Sequence, residues 1–229
     1  MNILAIDTST AVLSIALRTD NSYEERLVNG PFSHSEDLLP EIERLLSRVG
    51  MDISEITLVI VAKGPGSFTG LRIGMASAKG IASALSIPVV SVPTLDAIYE
   101  SVSYYPGAVV SAIDAKKRKF YLSVKKNHET LIEDRDGNAE DVLGLLAKEE
   151  IPALITGPDA ALFASKLPEG TRYVLDTESP RNISRALIKL GLEKLERSGA
   201  DDIGEGPVYI RRSDAEEALL RKMEGRNDG

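Results

Sequence analysis

The sequence predicts an α/β protein of two similar lobes, each with a mixed β-sheet that starts with a hairpin and has helices at its sides. Two short repeats, in the same order along the chain, indicate a duplication. Val109–Asp114 resembles Ile3–Asp7, and Ala153–Pro158 resembles Ile60–Pro65. In the first half, a glycine-rich loop between a buried strand and a helix is typical of a parallel crossover unit. The repeats are short, so chance similarity is the alternative to duplication.

Composition limits the classes of protein that this chain represents. With 229 residues, 43% hydrophobic and 27% charged, it is an ordinary globular chain. A net charge of −8 argues against a surface that holds nucleic-acid phosphates unaided. The lack of cysteine and the presence of only two histidines exclude disulfide scaffolds, thiol nucleophiles and a three-histidine metal site. We expect no targeting leader and no membrane segment, hence a cytoplasmic protein.

We place the boundary between the lobes near Tyr104–Gly107. The N-terminal lobe then spans residues 1–104 and the C-terminal lobe residues 105–229. In the second lobe, Phe120–Val124 supplies the return strand of the leading hairpin, and Ser213–Met223 is expected to form an exposed final helix.

The first hairpin surrounds a polar turn. Apolar strands at Ile3–Ile6 and Val12–Leu17 flank Asp7–Thr10, and Tyr23–Leu27 adds a third strand. An aspartate followed by hydroxyls can hold a metal-bound phosphate or orient a water molecule. The same residues are also good turn formers, because their side chains bond to nearby amides. Both interpretations stay open at this point.

An amphipathic helix follows, and its apolar stripe is broad. Ser33 and Glu36 have the spacing of a capping box, Pro40 lies near the start, and Gly50 ends the helix. The apolar side chains recur at helical spacing and are Leu38, Leu39, Ile42, Leu45, Leu46 and Val49. This stripe is wider than a single neighbour within the lobe needs to cover, so we expect it to contact a partner protein as well.

The loop Gly64–Gly70 is the most informative local feature. It joins a buried strand at Leu58–Ala62 to a helix at Leu71–Leu85, and a strand at Val89–Val92 follows. Amides at the start of the helix could cradle an anion, or the glycines could serve close packing of strand and helix. The spacing matches neither the dinucleotide pattern, nor the P-loop, nor a nucleophile elbow.

Small residues form two rows along the helix after this loop. One row is Gly70, Gly74, Ala78 and Ala82, and the other is Ala76, Gly80 and Ala84. Each interior glycine costs about 1 kcal/mol of helix stability relative to alanine, so close approach by a neighbouring backbone must offset it. One row can face the sheet of the lobe, while the other can face the preceding helix or a partner.

The remaining polar candidates are few. Lys116–Lys119 is the basic cluster of the sequence, and it is either a solvated turn or a local phosphate contact within a larger assembly. His34 is expected to cap the first helix or lie at the surface, and His128 to lie in a solvated turn.

Several segments together resemble one family. The segments are ILAIDTST, HSEDLLPEIERLL, GPGSFTGLRIG followed by AKGIA, IDAKKRKFY and the closing PVYIRR. They are similar to the bacterial TsaB (YeaZ) proteins, most densely over Met1–Ala97. The resemblance implies the duplicated actin/Hsp70/sugar-kinase (ASKHA) fold, in agreement with the internal repeats.

The resemblance also implies a function and partners. TsaB proteins bind TsaD, the enzyme that transfers a threonylcarbamoyl group to adenosine next to the tRNA anticodon. The segment Val92–Ile98, which corresponds to the TsaD metal motif, has no histidine, and Asp96 alone cannot hold a transition metal. We therefore expect a non-catalytic subunit with no metal, which joins a TsaD-like protein and a TsaE-like ATPase. Alone, it would form a homodimer, and it would meet tRNA only through the complex.

The resemblance argues against a cofactor in the isolated chain, and it leaves a nucleotide at the partner interface open. Neither hairpin turn has the glycine that kinase-like members of the fold use to approach phosphates. The candidate cofactor residues are Asp7, Thr8, Ser9, Gly64 and Gly66. The alternative function is a phosphotransferase or ATPase that uses Asp7 and the Gly64–Gly70 loop. The expected partner-binding residues are Leu38, Leu39, Ile42, Leu45, Leu46, Leu71, Gly74, Met75, Ala78 and Ala82.

Overall fold

Two five-stranded mixed sheets form the framework of the protein. The structure is a computed structural model, and it describes residues 1–29, 34–178 and 182–211. The predicted cap at Ser33 and the predicted terminal helix at Ser213–Met223 lie outside these residues.

The first half of the chain forms five strands and three helices. They are β1 (Ile3–Asp7), β2 (Val12–Arg18), β3 (Tyr23–Asn29), α1 (His34–Val49), β4 (Leu58–Ala62), α2 (Phe68–Leu85), β5 (Val89–Val92) and α3 (Thr94–Glu100), with a 3₁₀ turn at Ile53–Glu55. The strand order is β3-β2-β1-β4-β5, with the leading hairpin antiparallel and β4 and β5 parallel to β1. α1 and α2 pack on one face of this sheet, so their apolar stripes and the sheet form one core.

The second half repeats this arrangement with shorter helices. Its elements are β6 (Val109–Lys116), β7 (Lys119–Lys126), β8 (Glu129–Gly137), α4 (Leu143–Leu146), β9 (Ala153–Thr156), α5 (Ala160–Ala164), β10 (Tyr173–Leu175) and α6 (Ser184–Ser198), with a 3₁₀ turn at Ala139–Val142. The strand order β8-β7-β6-β9-β10 matches that of the first sheet strand for strand. This equivalence confirms the predicted duplication.

Two helices connect the lobes by packing across the boundary. α6, from the second half of the chain, packs on the first sheet, where Leu187 and Ile188 join the core that contains Ile3 and Ile60. An added Cβ on Gly191 would lie 2.6 Å from Ile60 Cδ1, so glycine permits this close approach. α3, from the first half, packs on β6 and β7 of the second sheet. Each sheet therefore buries one face against a helix from the other half of the chain.

Candidate functional site

The turn between β1 and β2 is held by its own side chains. Asp7 Oδ1 accepts a hydrogen bond of 2.8 Å from Ser9 N, and the carboxyl is only 3% exposed. Burial raises the pKa of Asp7, although the hydrogen bonds from Ser9 act in the opposite direction. Thr8 Oγ1 donates 2.7 Å to Gly70 O at the start of α2. The turn is therefore an Asp-stabilised turn bonded directly to the following helix.

The glycine-rich loop closes tightly on this turn. A Cβ on Gly66 would overlap the carbonyl oxygen of Ser9, and a Cβ on Gly70 would overlap that of Thr8. Ser67 N donates a hydrogen bond of 2.6 Å to Ser9 O, and Ser67 Oγ caps α2 by accepting from Gly70 N. Of the two interpretations of this loop, its glycines support close packing of strand and helix.

The equivalent turn between β6 and β7 has the same bond but different surroundings. Asp114 Oδ1 accepts 2.8 Å from Lys116 N, as Asp7 does from Ser9 N, and Asp114 also pairs with Lys116 Nζ at 2.8 Å. Lys116, Lys117 and Arg118 have φ angles of 62°, 53° and 63°, in the left-handed region. Two-residue hairpin turns of this kind normally carry asparagine and glycine. Here Lys117 and Arg118 occupy these two positions, and Lys116 before them is a third exposed cation.

A cleft of about 540 Å³ lies between the two turns. It is lined by the loop at Pro65–Phe68, by the basic turn at Lys116–Lys117 and by a C-terminal segment, Val208–Arg211. His34, at the start of α1, also lines the cleft and bonds through Nε2 to Thr10 O at 2.7 Å. Asp7 is not among the lining residues, because it faces a small internal cavity of about 20 Å³.

The segment Pro207–Arg211, which we call the strap, bridges the lobes along one side of the cleft. Val208 N donates 2.7 Å to Lys63 O in the first lobe, and Arg211 Nη1 donates 3.3 Å to Ala115 O in the second. Tyr209 stacks on Phe68 with ring centroids 4.5 Å apart. The strap consists of the first five residues of the motif PVYIRR, for which the sequence suggested no role in the site.

Arg72 completes this aromatic cluster from the first turns of α2. Its guanidinium lies 4.0 Å from the centroid of the Phe68 ring, and its Nε donates 3.1 Å to Tyr209 Oη. The pairing joins residues 137 positions apart, so local sequence patterns carry no signal for it. The cluster links α2, the loop before it and the strap.

Burial corrects the predicted docking residues. Nine of the ten residues are buried inside the chain, and only Leu39 is exposed, at 53%. The buried residues are Leu38, Ile42, Leu45 and Leu46 of α1, and Leu71, Gly74, Met75, Ala78 and Ala82 of α2. The stripe on α1 is broad because it packs against both the sheet and α2. These nine side chains are therefore not available to a partner, and docking through the two helices stays a prediction that requires their outer faces.

The second small-residue row provides such an outer face on α2. Ala76, Gly80 and Ala84 are exposed, and a Cβ added to Gly80 would meet no atom within 4 Å. Gly74, by contrast, faces Thr8, whose Oγ1 a new Cβ would overlap. Packing within the chain thus explains why residue 74 is glycine, but no contact in the described chain explains the glycine at position 80.

Neither a metal-binding cluster nor a membrane-spanning helix is found among the described residues. Asp96 forms an ion pair with Lys125. Within residues 1–29, 34–178 and 182–211, no group of three or more His, Cys, Asp or Glu side chains could hold a metal ion. In the same part of the chain, no helix has both the length and the apolar character needed to span a membrane.

Comparison with known proteins assigns the family. The TsaB protein of Bacillus subtilis, named for tRNA threonylcarbamoyladenosine biosynthesis, is 33% identical over 224 residues, which cover 94% of this chain and 96% of that protein. The chain belongs to the TsaB (YeaZ) family. Escherichia coli TsaB is 36% identical over 131 residues, or 56% of this chain and 57% of that protein. Residues 32–172 match the family model described as "TsaD: tRNA N6-adenosine threonylcarbamoyltransferase".

A solved structure supports the fold of this TsaB family member. YeaZ from Pseudomonas aeruginosa matches with a TM-score of 0.78 and 25% identity, over 91% of this chain and 99% of that one. Together with the two equivalent sheets, this match confirms the predicted duplicated ASKHA fold. The family assignment confirms the resemblance that the motifs indicated.

Proposed function

We propose that this chain is a non-catalytic subunit in the biosynthesis of threonylcarbamoyladenosine next to the tRNA anticodon, where it binds and supports a TsaD-like catalytic subunit. Two relatives with a TsaB name support the pathway, and the match to the TsaD model supports a partner of related fold. A symmetric dimer uses the same surface patch on both subunits. Two proteins of related fold can associate in the same way through their equivalent helices.

The exposed row on α2 is the observation that carries the docking proposal. Gly80 lowers the stability of α2 by about 1 kcal/mol relative to alanine, and no contact within the described chain offsets this. A small residue at an exposed helix position lets another helix approach closely, so Ala76, Gly80 and Ala84 form the proposed contact. Leu39 of α1, 53% exposed, supplies an apolar side chain of the same helical pair.

Substitution of Gly80 by arginine tests this contact. Gly80→Arg places a bulky side chain where we propose close approach, and arginine is a good helix former, so folding is retained. We expect affinity for a TsaD-like subunit to fall about thirtyfold or more, as for a residue at the centre of an interface. Binding is measured by calorimetry, and circular dichroism checks the fold.

Gly144→Arg is the matched control for this experiment. Gly144 is exposed on α4, and a Cβ there also meets nothing within 4 Å. We expect this variant to bind the catalytic subunit normally. Equal binding by Gly80→Arg and Gly144→Arg would contradict the proposed interface. Gly74 and Ala78 are unsuitable for the test, because both are buried and their substitution would disturb folding.

The other parts of the proposed assembly follow from the same surface. We propose that the isolated chain forms a homodimer through the outer face of α2, so that homodimer and heterodimer compete. Gly80→Arg should then also reduce the mass measured by light scattering to that of a monomer. A TsaE-like ATPase completes the proposed assembly, in which the joint interface is also a candidate nucleotide site. Because the substrate of the assembly is tRNA, we propose a cytoplasmic location.

A further inference from the structure

The β6–β7 turn presents the basic cluster of the chain in a strained conformation. Lys116, Lys117 and Arg118 are exposed and all have positive φ, a conformation that non-glycine residues rarely adopt. A turn with asparagine and glycine would form the same hairpin without this strain. Strain of this kind persists at functional sites, where the side chains themselves are needed.

An aromatic cluster lines the same cleft. Tyr209 is 39% exposed, stacks on Phe68 and accepts a bond from Arg72. Lys116 and Lys117 line the cleft together with Phe68 and Tyr209. The cleft is therefore lined both by cations and by an exposed aromatic side chain, although the whole chain carries a net charge of −8.

We infer that this cleft and the basic turn form a contact surface for a single-stranded RNA segment, with backbone phosphates on Lys116–Lys119 and a base against Tyr209. The inference rests on the proposed function, because it adds to that subunit a direct contact with the RNA substrate. Proteins that bind single strands pair a positively charged groove with aromatic faces on which bases stack. Two carboxylates, Asp114 and Asp159, also line the cleft, so the phosphates lie on the outer, cationic side of the turn.

The extent of the basic turn favours an RNA strand over a free nucleotide. Four consecutive cations follow one another at the tip of the hairpin, and Arg118 and Lys119 lie beyond the residues that line the cleft. A mononucleotide inside the cleft would not reach these two residues, whereas a strand that crosses the turn would. This surface and the proposed protein contact at Ala76, Gly80 and Ala84 share no residue, so a substitution can be chosen that alters only one of them.

Charge reversal tests the inference. A fluorescent anticodon stem–loop RNA is titrated at about 50 mM salt against the full chain and against its complex with a TsaD-like subunit. Lys117→Glu with Arg118→Glu should weaken binding about tenfold or more and lower the salt slope by about 1.4, since each lost contact to a single strand removes about 0.7. Tyr209→Ala should weaken binding about fivefold or more, and Tyr209→Phe should restore it.

A second double variant controls for net charge. Lys166→Glu with Arg172→Glu makes the same change at exposed positions that do not line the cleft, and RNA binding should stay as in the parent chain. The inference is overturned if both double variants bind RNA equally, or if neither the chain nor the complex binds RNA. It is also overturned if ATP binds as tightly as the RNA and displaces it. Failure of the catalytic subunit to bind would instead refute the proposed function, while the titration of the chain alone still decides the RNA contact.

Discussion

Gly74 and Gly80 lie in the interior of the same helix, yet the structure predicts opposite effects for the same substitution. Gly80→Ala adds a methyl group in open space, so it should stabilise the protein by about 1 kcal/mol through helix propensity alone. In Gly74→Ala the new methyl would overlap Thr8 Oγ1, which donates a buried bond of 2.7 Å to Gly70 O. Loss of that bond costs about 1–3 kcal/mol, and overpacking costs a similar amount.

The net effect of Gly74→Ala is therefore a destabilisation of about 1–5 kcal/mol after the gain in propensity, with a central value of about 3 kcal/mol. For a chain of this size, about 1 kcal/mol shifts the Tm by about 2–4 °C. Gly80→Ala should raise the Tm by about 2–4 °C, and Gly74→Ala, at the central value, should lower it by about 6–12 °C. Thermal unfolding is followed by circular dichroism, because the chain has no tryptophan. Shifts in the same direction would refute the distinction between an internal and an outer row.

Four further predictions concern other parts of the molecule. Burial, and to a smaller extent the charge of Asp96, raises the pKa of Asp134 to about 6. The protein is therefore more stable below pH 4, where this carboxyl is protonated, and it loses that extra stability as the pH rises through about 6. Asp134→Asn should remove this dependence on pH and raise the free energy of unfolding at pH 7 by about 1–2 kcal/mol. The figure is smaller than the pKa shift alone gives, because the side chain is partly exposed and solvent screens its charge. Asp201→Ala should destabilise it by about 2 kcal/mol, because the ion pair to α6 and the bonds to β5 are lost. Magnesium-ATP should not bind the isolated chain at micromolar concentration, since Asp7 does not line the cleft. Lys117→Asn with Arg118→Gly should raise the Tm by about 2–4 °C, because it relieves the strained turn, while it weakens RNA binding.

Each of these outcomes has a contrary result. Equal urea stabilities of Asp134→Asn and the parent at both pH 4 and pH 7 would show that the carboxyl is not perturbed in the folded state. A parent-like Tm for Asp201→Ala would mean that its bonds do not hold α6 to the sheet. Micromolar calorimetric binding of magnesium-ATP that disappears in Asp7→Ala would favour the phosphotransferase alternative. A lowered Tm in the asparagine–glycine variant would show that the turn is not strained.

The strands of the first sheet could be predicted well from the sequence. A strand buried on both faces is a continuous apolar run, and Leu58–Ala62 has the predicted bounds. The hairpin at β1 and β2 also follows from apolar runs around a polar turn. α6 was not predicted, although Leu187, Gly191 and Leu195 have its helical spacing. Its many charged residues conceal this pattern, and its packing partner is the sheet of the other half.

The spacing of the small residues does not predict which face of α2 packs inside the lobe and which is exposed. Both small-residue rows repeat every four residues, and only the position of Thr8 against Gly70 and Gly74 distinguishes them. The cleft is similarly non-local, because the strap reaches Lys63 and Ala115 from positions near residue 210. Sequence patterns report on neighbours within a helix or strand, whereas these contacts depend on how the two lobes are placed.

The two equivalent turns show how the duplicated lobes have diverged. Both aspartates make the same bond to the amide two residues later. In the first lobe, the glycine-rich loop packs tightly on the turn, Thr8 bonds the turn to the start of α2, and the small outer row of α2 is exposed. In the second lobe, no glycine-rich sequence follows β9, and the turn projects three cations to solvent. Under the two proposals made above, the first turn supports a surface for a protein and the second supplies a charged surface for RNA. Because the two surfaces share no residue, Gly80→Arg and the charge reversal at Lys117 and Arg118 should each weaken one interaction and leave the other intact.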